Sequence, residues 1–327
     1  MKVSLTELDK VVSKAIKHYG YNRKEAEIIK NILMYAQLRG NNQGIVKLIG
    51  AGIPKRKEAG KPIITKQTPV SVLLDGNKTH AMIVMDRLAD LAIKKARKSG
   101  MGIAGNFNTD ESTGALGYYV NKIAKEGLIG VAFASAPFKT TAPYGSNEAM
   151  FCTNPLAYGI PIEEDPIVLD MTTSAMAYYG LIEAKTAGRK VPSDIGFDKD
   201  GNETTDPAEI MSGALKAFGD HKGSGLALVV QVLAGVFVRA DSFDNDSDNA
   251  GNLVIAINPN IFLDTETFKN NVSEIVSKVK AARKIEGVEE IYVPGEKGNA
   301  IAETFRKEGE IEIEDNLYNE LLKVAKF

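Results

Sequence analysis

Apolar residues Leu5, Leu8, Val11, Val12, Ala15 and Ile16 recur every third or fourth position behind Ser4, the spacing of one helix face with a hydroxyl placed to cap its first amides. A second stripe, Ala26, Ile29, Ile32, Leu33 and Ala36, predicts a helix over 23–38, with Asn22 as its cap and Gly40 at the left-handed position that ends it. The polar loop RGNNQG follows, then a further helical turn or two through Ala59, so the first 70 residues read as helical with little strand signal. After Pro69 the period shortens: 70–74 reads as a strand, Asp75-Gly76 as a turn, and 82–99 as an amphipathic helix with a basic last turn before Gly100. Short apolar segments at 103–104, 129–135, 156–160, 167–171 and 253–257 alternate with helical patterns at 116–126, 174–187 and 223–238. From Phe268 the chain is helical again, closing with 316–325. The pattern predicts an α/β (α+β) unit over 71–267 and helical character over 1–70 and 268–327.

Composition narrows this picture. A chain of 327 residues, 44% hydrophobic, has material for large cores. Forty basic against 42 acidic residues, with the lysines scattered, provide no field for nucleic acid or an anionic membrane. The apolar run 225–238 is shorter than the roughly 20 residues of a membrane span and stops at Arg239, so a buried helix is expected. The first residues, MKVSLTELDKVVSKAIKHYG, lack the apolar stretch and cleavage site of a signal peptide. A single cysteine, Cys152, forms no internal disulfide, and cytoplasm is the default compartment. No HExxH, CxxC or histidine pair points to a metal, and no GxSxG to a serine nucleophile.

Other segments carry candidate chemistry. The stretch GAGIPK at 50–55 lacks the third glycine and the preceding strand of a dinucleotide fingerprint. Gly223-Ser224-Gly225, opening an apolar helix just after Lys222, offers free amides and a cation to a phosphate. Asp170-Met171-Thr172-Thr173-Ser174 ends a strand and is read as starting a helix, with more hydroxyls than one cap needs. Thr153-Asn154-Pro155 and Pro294-Gly295-Glu296 read alone as turns. Asp110 and Glu111 are adjacent carboxylates of the kind usually found on a solvated turn. His221 has no carboxylate orienter nearby in sequence, and His80, at a helix start, is disfavoured as a cation by the helix dipole.

Taken in order, PYGSNEAMFCTNPLAYGIP, VLDMTTSAMAYYGLIEAKTAGRKVP, GFDKDGNETTDP, GDHKGSGLALVVQVLAG and VPGEKG resemble the malate/L-lactate dehydrogenase family of non-Rossmann oxidoreductases over nearly the whole chain. GFDKDGN, HKGSG and DNDSDNAG are most similar to its 2,3-diketo-L-gulonate reductases. The resemblance implies a central, largely antiparallel sheet domain with a non-Rossmann dinucleotide site, and a helical domain built from both termini. It also implies a homodimer with sites near the subunit boundary, NAD or NADP as cofactor, and a small carboxylic acid as substrate. By matching positions, Val168, Leu169, Asp170, Met171, Thr172, His221, Lys222, Gly223, Pro294, Gly295 and Glu296 line the cofactor site, with Thr153 and Asn154 beside it.

The family's chemistry, hydride transfer to the carbonyl carbon of a 2-keto acid, uses a histidine as proton donor and an arginine on the carboxylate. Here the resemblance aligns Gln43 with that histidine and Lys47 with the arginine, while Glu111 or Ser112 takes the place of a second family histidine. Two functions follow. One is an NAD(P)-dependent reductase of a 2-keto or imino acid, with Glu111 as substitute acid, raised in pKa by burial. A glutamate facing the substrate disfavours a second carboxylate there. The other is a cofactor-binding paralogue without dehydrogenase activity.

Overall fold

The computed structural model describes residues 1–110, 112–241 and 248–326. In chain order the elements are β1 (Lys2–Ser4), α1 (Leu5–His18), α2 (Arg23–Leu38), β2 (Ile63–Gln67), β3 (Ser71–Asp75), α3 (Ala81–Ser99), β4 (Met101–Thr109) and α4 (Leu116–Lys125). There follow β5 (Ile129–Ser135), β6 (Leu156–Ile160), β7 (Ile167–Met171), α5 (Tyr178–Thr186), β8 (Gly196–Phe197), α6 (Pro207–Ser212), β9 (Ala214–Leu215) and α7 (His221–Ala234). The remainder is β10 (Ala250–Ile257), α8 (Thr265–Lys280), α9 (Glu296–Glu308), β11 (Glu310–Glu312) and α10 (Asp315–Ala325).

Seven strands form the central sheet in the order β2-β3-β4-β10-β5-β6-β7. Only β3 and β4 pair in parallel, joined through the crossover helix α3, and every other pairing is antiparallel. The expected mixed, largely antiparallel sheet is therefore the observed one. The two chain ends meet: β1 pairs with β11, and α1 lies against α10. Leu8, Val12 and Ile16 of α1, Leu317 and Leu321 of α10, and Leu74, Ala157 and Val254 of the sheet all belong to one continuous apolar core. Local chemistry fixes the helix starts. Ser4 Oγ accepts from Glu7 N at 3.1 Å, and Asn22 caps α2 reciprocally with Glu25.

Four expectations change. Residues 50–59 form no helix; only 45–48 make a short 3-10 turn, and Gly50 and Gly52 both have positive φ. The N-terminal 70 residues contain β1 and β2. The segment read as one helix over 174–187 begins at Tyr178, and α8 starts at Thr265. The apolar helix near 225 is only half buried: Ala227, Val230 and Ala234 pack inward, while Leu228, Val229 and Val232 are about half exposed. The run 221–238 has the length and composition of a membrane span, but one of its faces is committed to the core.

Candidate functional site

The loop after α2 is held open by its own sequence. Gly40, at φ 67°, turns the chain out of the helix, and Asn41 N returns a hydrogen bond to Ala36 O at 3.0 Å. Gln37 Oε1 accepts from Ile45 N at 3.0 Å, and Asn41 Oδ1 accepts from Gln43 N at 2.9 Å. A Cβ on Gly44 would lie 2.9 Å from Gln37 Cβ and 3.0 Å from its Cα, so nothing larger than glycine fits. The loop so fixed exposes Asn41, Asn42 and Gln43 to a cavity of about 1080 Å³.

Lys47 sits on the short turn behind the loop and is 2% exposed. Its Nζ donates to Ser112 Oγ at 2.8 Å and lies 3.4 Å from the centre of the Tyr179 ring, a cation–π contact across the cavity wall. Lys47, Ser112 and Tyr179 all line the same space. His80 caps α3, its Nδ1 accepting from Met82 N at 3.3 Å. Burial, assisted by the nearby Lys47 charge, lowers its pKa to about 3, so it stays neutral as expected, with burial rather than the helix dipole as the main cause.

The opposite wall comes from β7 and the segment before β6. Thr153, Asp170, Met171 and Thr172 line the cavity. Thr172 Oγ1 and Thr173 Oγ1 both donate to Thr153 O, at 2.8 and 3.0 Å. The hydroxyl cluster thus knits the end of β7 to the Thr153 segment and does not start a helix; α5 begins four residues beyond Ser174 with no side-chain cap. Asp170 reaches across to α4, where Ala115 offers no capping group, and Oδ2 accepts from Gly117 N at 2.7 Å. Burial pushes the Asp170 carboxyl up to about 6, against the lowering effect of that amide. The periodicity of the sequence contained no sign of this raised carboxyl, and Lys139 and Ser135 of the same cavity were not singled out.

Other expected residues lie outside the cavity lining. Asn154, at φ 38°, is fully buried and donates to Ala227 O and Gln231 Oε1, at 2.9 and 2.8 Å, anchoring α7. Val168 and Leu169 are strand residues of β7, and Val168 N donates to Pro294 O at 3.0 Å. Gly295, at φ 97°, packs on Val168, where a Cβ would come within 3.1 Å of its backbone nitrogen. Glu296 accepts from Val293 N and pairs with Lys280 at 2.8 Å, so its carboxylate is occupied.

The glycine-rich helix start also differs from its reading. Helix α7 begins at His221, which places Lys222 inside the first turn. The amides of Lys222, Gly223 and Ser224 already donate to Gly219 O, Phe218 O and Asp220 O, at 3.2, 3.0 and 3.2 Å. They are not free for a phosphate. His221 lies edge-on to Tyr144, with ring centres 6.1 Å apart.

Asp110 is buried and pairs with Arg56 at 2.9 Å, rather than sitting on a solvated turn. Glu111 lies outside the described residues, as do 242–247 of the acidic stretch DSFDNDSDN; the adjoining Asp248 pairs with Arg56 and Lys78. Among the described residues no cluster of histidine, cysteine, aspartate and glutamate is arranged to hold a metal ion.

Comparison with known proteins accounts for this architecture. The malate/L-lactate dehydrogenase family profile matches residues 3–322. The malate/(S)-sulfolactate dehydrogenase of Methanothermus fervidus is 32% identical over 338 aligned residues, covering 99% of this chain and 97% of its own. The crystal structure of malate dehydrogenase from Entamoeba histolytica superposes with a TM-score of 0.88 at 26% identity, covering 100% of this chain and 98% of the other. The sulfolactate dehydrogenase structure from Methanocaldococcus jannaschii gives 0.81 at 29% identity, with 99% and 96% covered. With its profile match spanning nearly the entire chain and its fold superposing on a solved malate dehydrogenase over its full length, this protein belongs to the malate/L-lactate dehydrogenase family of oxidoreductases.

Proposed function

We propose that the chain transfers a hydride between a nicotinamide cofactor, NAD or NADP, and a small 2-hydroxy acid, its 2-keto counterpart or the related imino acid. The observation that carries this reading is the shared cavity: Gln43, Lys47 and Ser112 line one open cleft together with Thr153, Asp170, Met171 and Thr172. The cavity residues suit a flat amide-bearing ring. Gly114, Ala115, Ala134, Ala136 and Ala250 leave the walls open, and Ser135 contributes a buried hydroxyl oxygen with no hydrogen-bond partner. When bound, the cofactor supplies or accepts the hydride.

Lys47 holds the substrate carboxylate as a point charge, its ammonium fixed by Ser112 and Tyr179. Gln43 Nε2 donates to Asn42 Oδ1 at 3.3 Å, leaving the Gln43 carbonyl to orient the substrate; an amide gives up no proton near neutral pH. Asp170, protonated in half the molecules near pH 6, gives its proton to the developing alkoxide oxygen and recovers it in the reverse direction. Glu111 is the competing donor. Nothing favours a paralogue without dehydrogenase activity.

We further propose a cytoplasmic homodimer. Helix α8 has no buried residue yet carries Ile275 and Val279 on an exposed face, and α7 exposes Leu228, Val229 and Val232; a second copy would cover such faces.

The test is spectrophotometric. The protein should be protected against heat by NADH or NADPH and should oxidise one of them with a 2-keto or imino acid. Absence of both effects would eliminate the reading.

A further inference from the structure

The Lys47 ammonium owes its direction to Ser112 and Tyr179, and Ser112 has a φ of 72°, a backbone conformation that residues with a side chain rarely adopt. Such a residue keeps its place only where its surroundings hold it. Asp110 N donates to Thr79 O at 3.2 Å and Asp110 O accepts from Ala81 N at 3.1 Å, which ties the end of β4 to the start of α3. On the other side of Ser112, Thr113 O accepts from Tyr119 Oη at 2.5 Å. The buried Asp110 carboxylate accepts from Arg56 Nε at 2.9 Å. Arg56 pairs in turn with Asp248, and Asp248 with Lys78, so two cations and two carboxylates close a neutral quartet. The quartet joins three stretches remote in sequence that each lead into the cavity. Arg56 follows Lys47 by nine residues, Asp110 precedes Ser112 by two, and Asp248 precedes Ala250 by two.

An exposed ion pair constrains little, but the Arg56 and Asp110 side chains are only 27% and 13% exposed. Removing one partner leaves a mostly buried charge that the local backbone must move to satisfy. Arg56 itself does not line the cavity. We infer that Arg56 is a positioning residue for the reaction: by clamping Asp110 it keeps Ser112 Oγ within reach of Lys47 Nζ, and so aims the ammonium at the substrate carboxylate. This rests on the proposed reductase activity. A displacement of about 1 Å at a group that orients substrate is enough to cost a large part of the rate. Asp248 is the outer arm of the quartet, because the Arg56–Asp110 contact does not pass through it.

The experiment is a double-mutant cycle read in steady-state kinetics and in cofactor binding. Arg56→Gln should raise KM for the keto acid roughly 10-fold, with kcat within about 3-fold and NADH or NADPH affinity unaltered, and Arg56→Lys should recover most of the loss. Asp110→Asn, which keeps the shape of the side chain and removes its charge, should repeat that pattern, so the test does not depend on Arg56→Gln folding. In a Ser112→Ala background either change should add less than about 2-fold, because the group it positions is gone. Losses that multiply in the double variants, or kcat, KM and cofactor affinity that worsen together, would mark a merely structural pair and overturn the assignment. If the wild type reduces no 2-keto or imino acid, the reductase reading falls. The clamp is then judged by hydrogen exchange: faster exchange in Arg56→Gln confined to the segment 112–116 upholds it, and an unchanged rate there overturns it.

Discussion

At the scale of single residues, the account turns on how burial sets charge. Asp170 and His80 are moved in opposite directions by the same cause, since burial penalises a carboxylate and an imidazolium alike. If Asp170 is the proton donor, reduction should lose rate as pH rises through about 6. Asp170→Asn should remove that limb and lower kcat about 100- to 10,000-fold while cofactor still binds. A pH profile that keeps its limb in Asp170→Asn but loses it in Glu111→Gln would assign the proton to Glu111 instead. The same shift affects stability. A carboxyl with a raised folded pKa loses stability as pH climbs from about 4 to 6, because the folded state holds the proton longer, and denaturant melts of Asp170→Asn should show a shallower fall there. None of this was legible in sequence, because the partner amide of Gly117 lies 53 positions away. Lys139 was equally hidden among scattered lysines until the chain brought it to the cavity wall.

At the scale of elements, what the sequence revealed was what neighbours along the chain decide. Ser4 and the Asn22–Glu25 box cap their helices because cap and amide are separated by three residues or fewer. The loop RGNNQG read along the chain only as a polar break after a helix, and the structure puts its Asn41, Asn42 and Gln43 on the cavity wall. The hydroxyls of 172–174 were misread, since their true acceptors, Thr153 O among them, are long-range. The amides opening α7 failed for a related reason: Phe218, Gly219 and Asp220 take them through tight turns. Two element-level outcomes are expected. Gly44→Ala should destabilise the protein by about 1–3 kcal/mol in denaturant melts, because the added methyl meets the backbone as well as the side chain of Gln37. His80, whose folded pKa is depressed to about 3, contributes stability that is fully present above about pH 6.5 and is lost as pH falls towards 3. His80→Asn, which keeps a cap acceptor for Met82 N, should flatten that acid limb; an unchanged limb would show that other groups carry it.

At the scale of the whole molecule, the chain closes on itself through β1 and β11, and its terminal helices share a core with the sheet, so the loop bearing Gln43 and Lys47 lines the same cavity as the end of β7. Amphipathic patterning foretold α8 as a helix but gave no hint that none of its residues would be fully buried, with Ile275 and Val279 left exposed. Sedimentation should return twice the chain mass, and Leu228→Glu with Val232→Glu should shift it towards the monomer; a wild-type monomer would refute the dimer. The most direct check on the central claim is the paired behaviour of Lys47→Met in cofactor binding and keto-acid reduction. NADH or NADPH affinity should match the wild type while kcat/KM for the keto acid falls about 100-fold. Undiminished kcat/KM would contradict a substrate carboxylate held at Lys47.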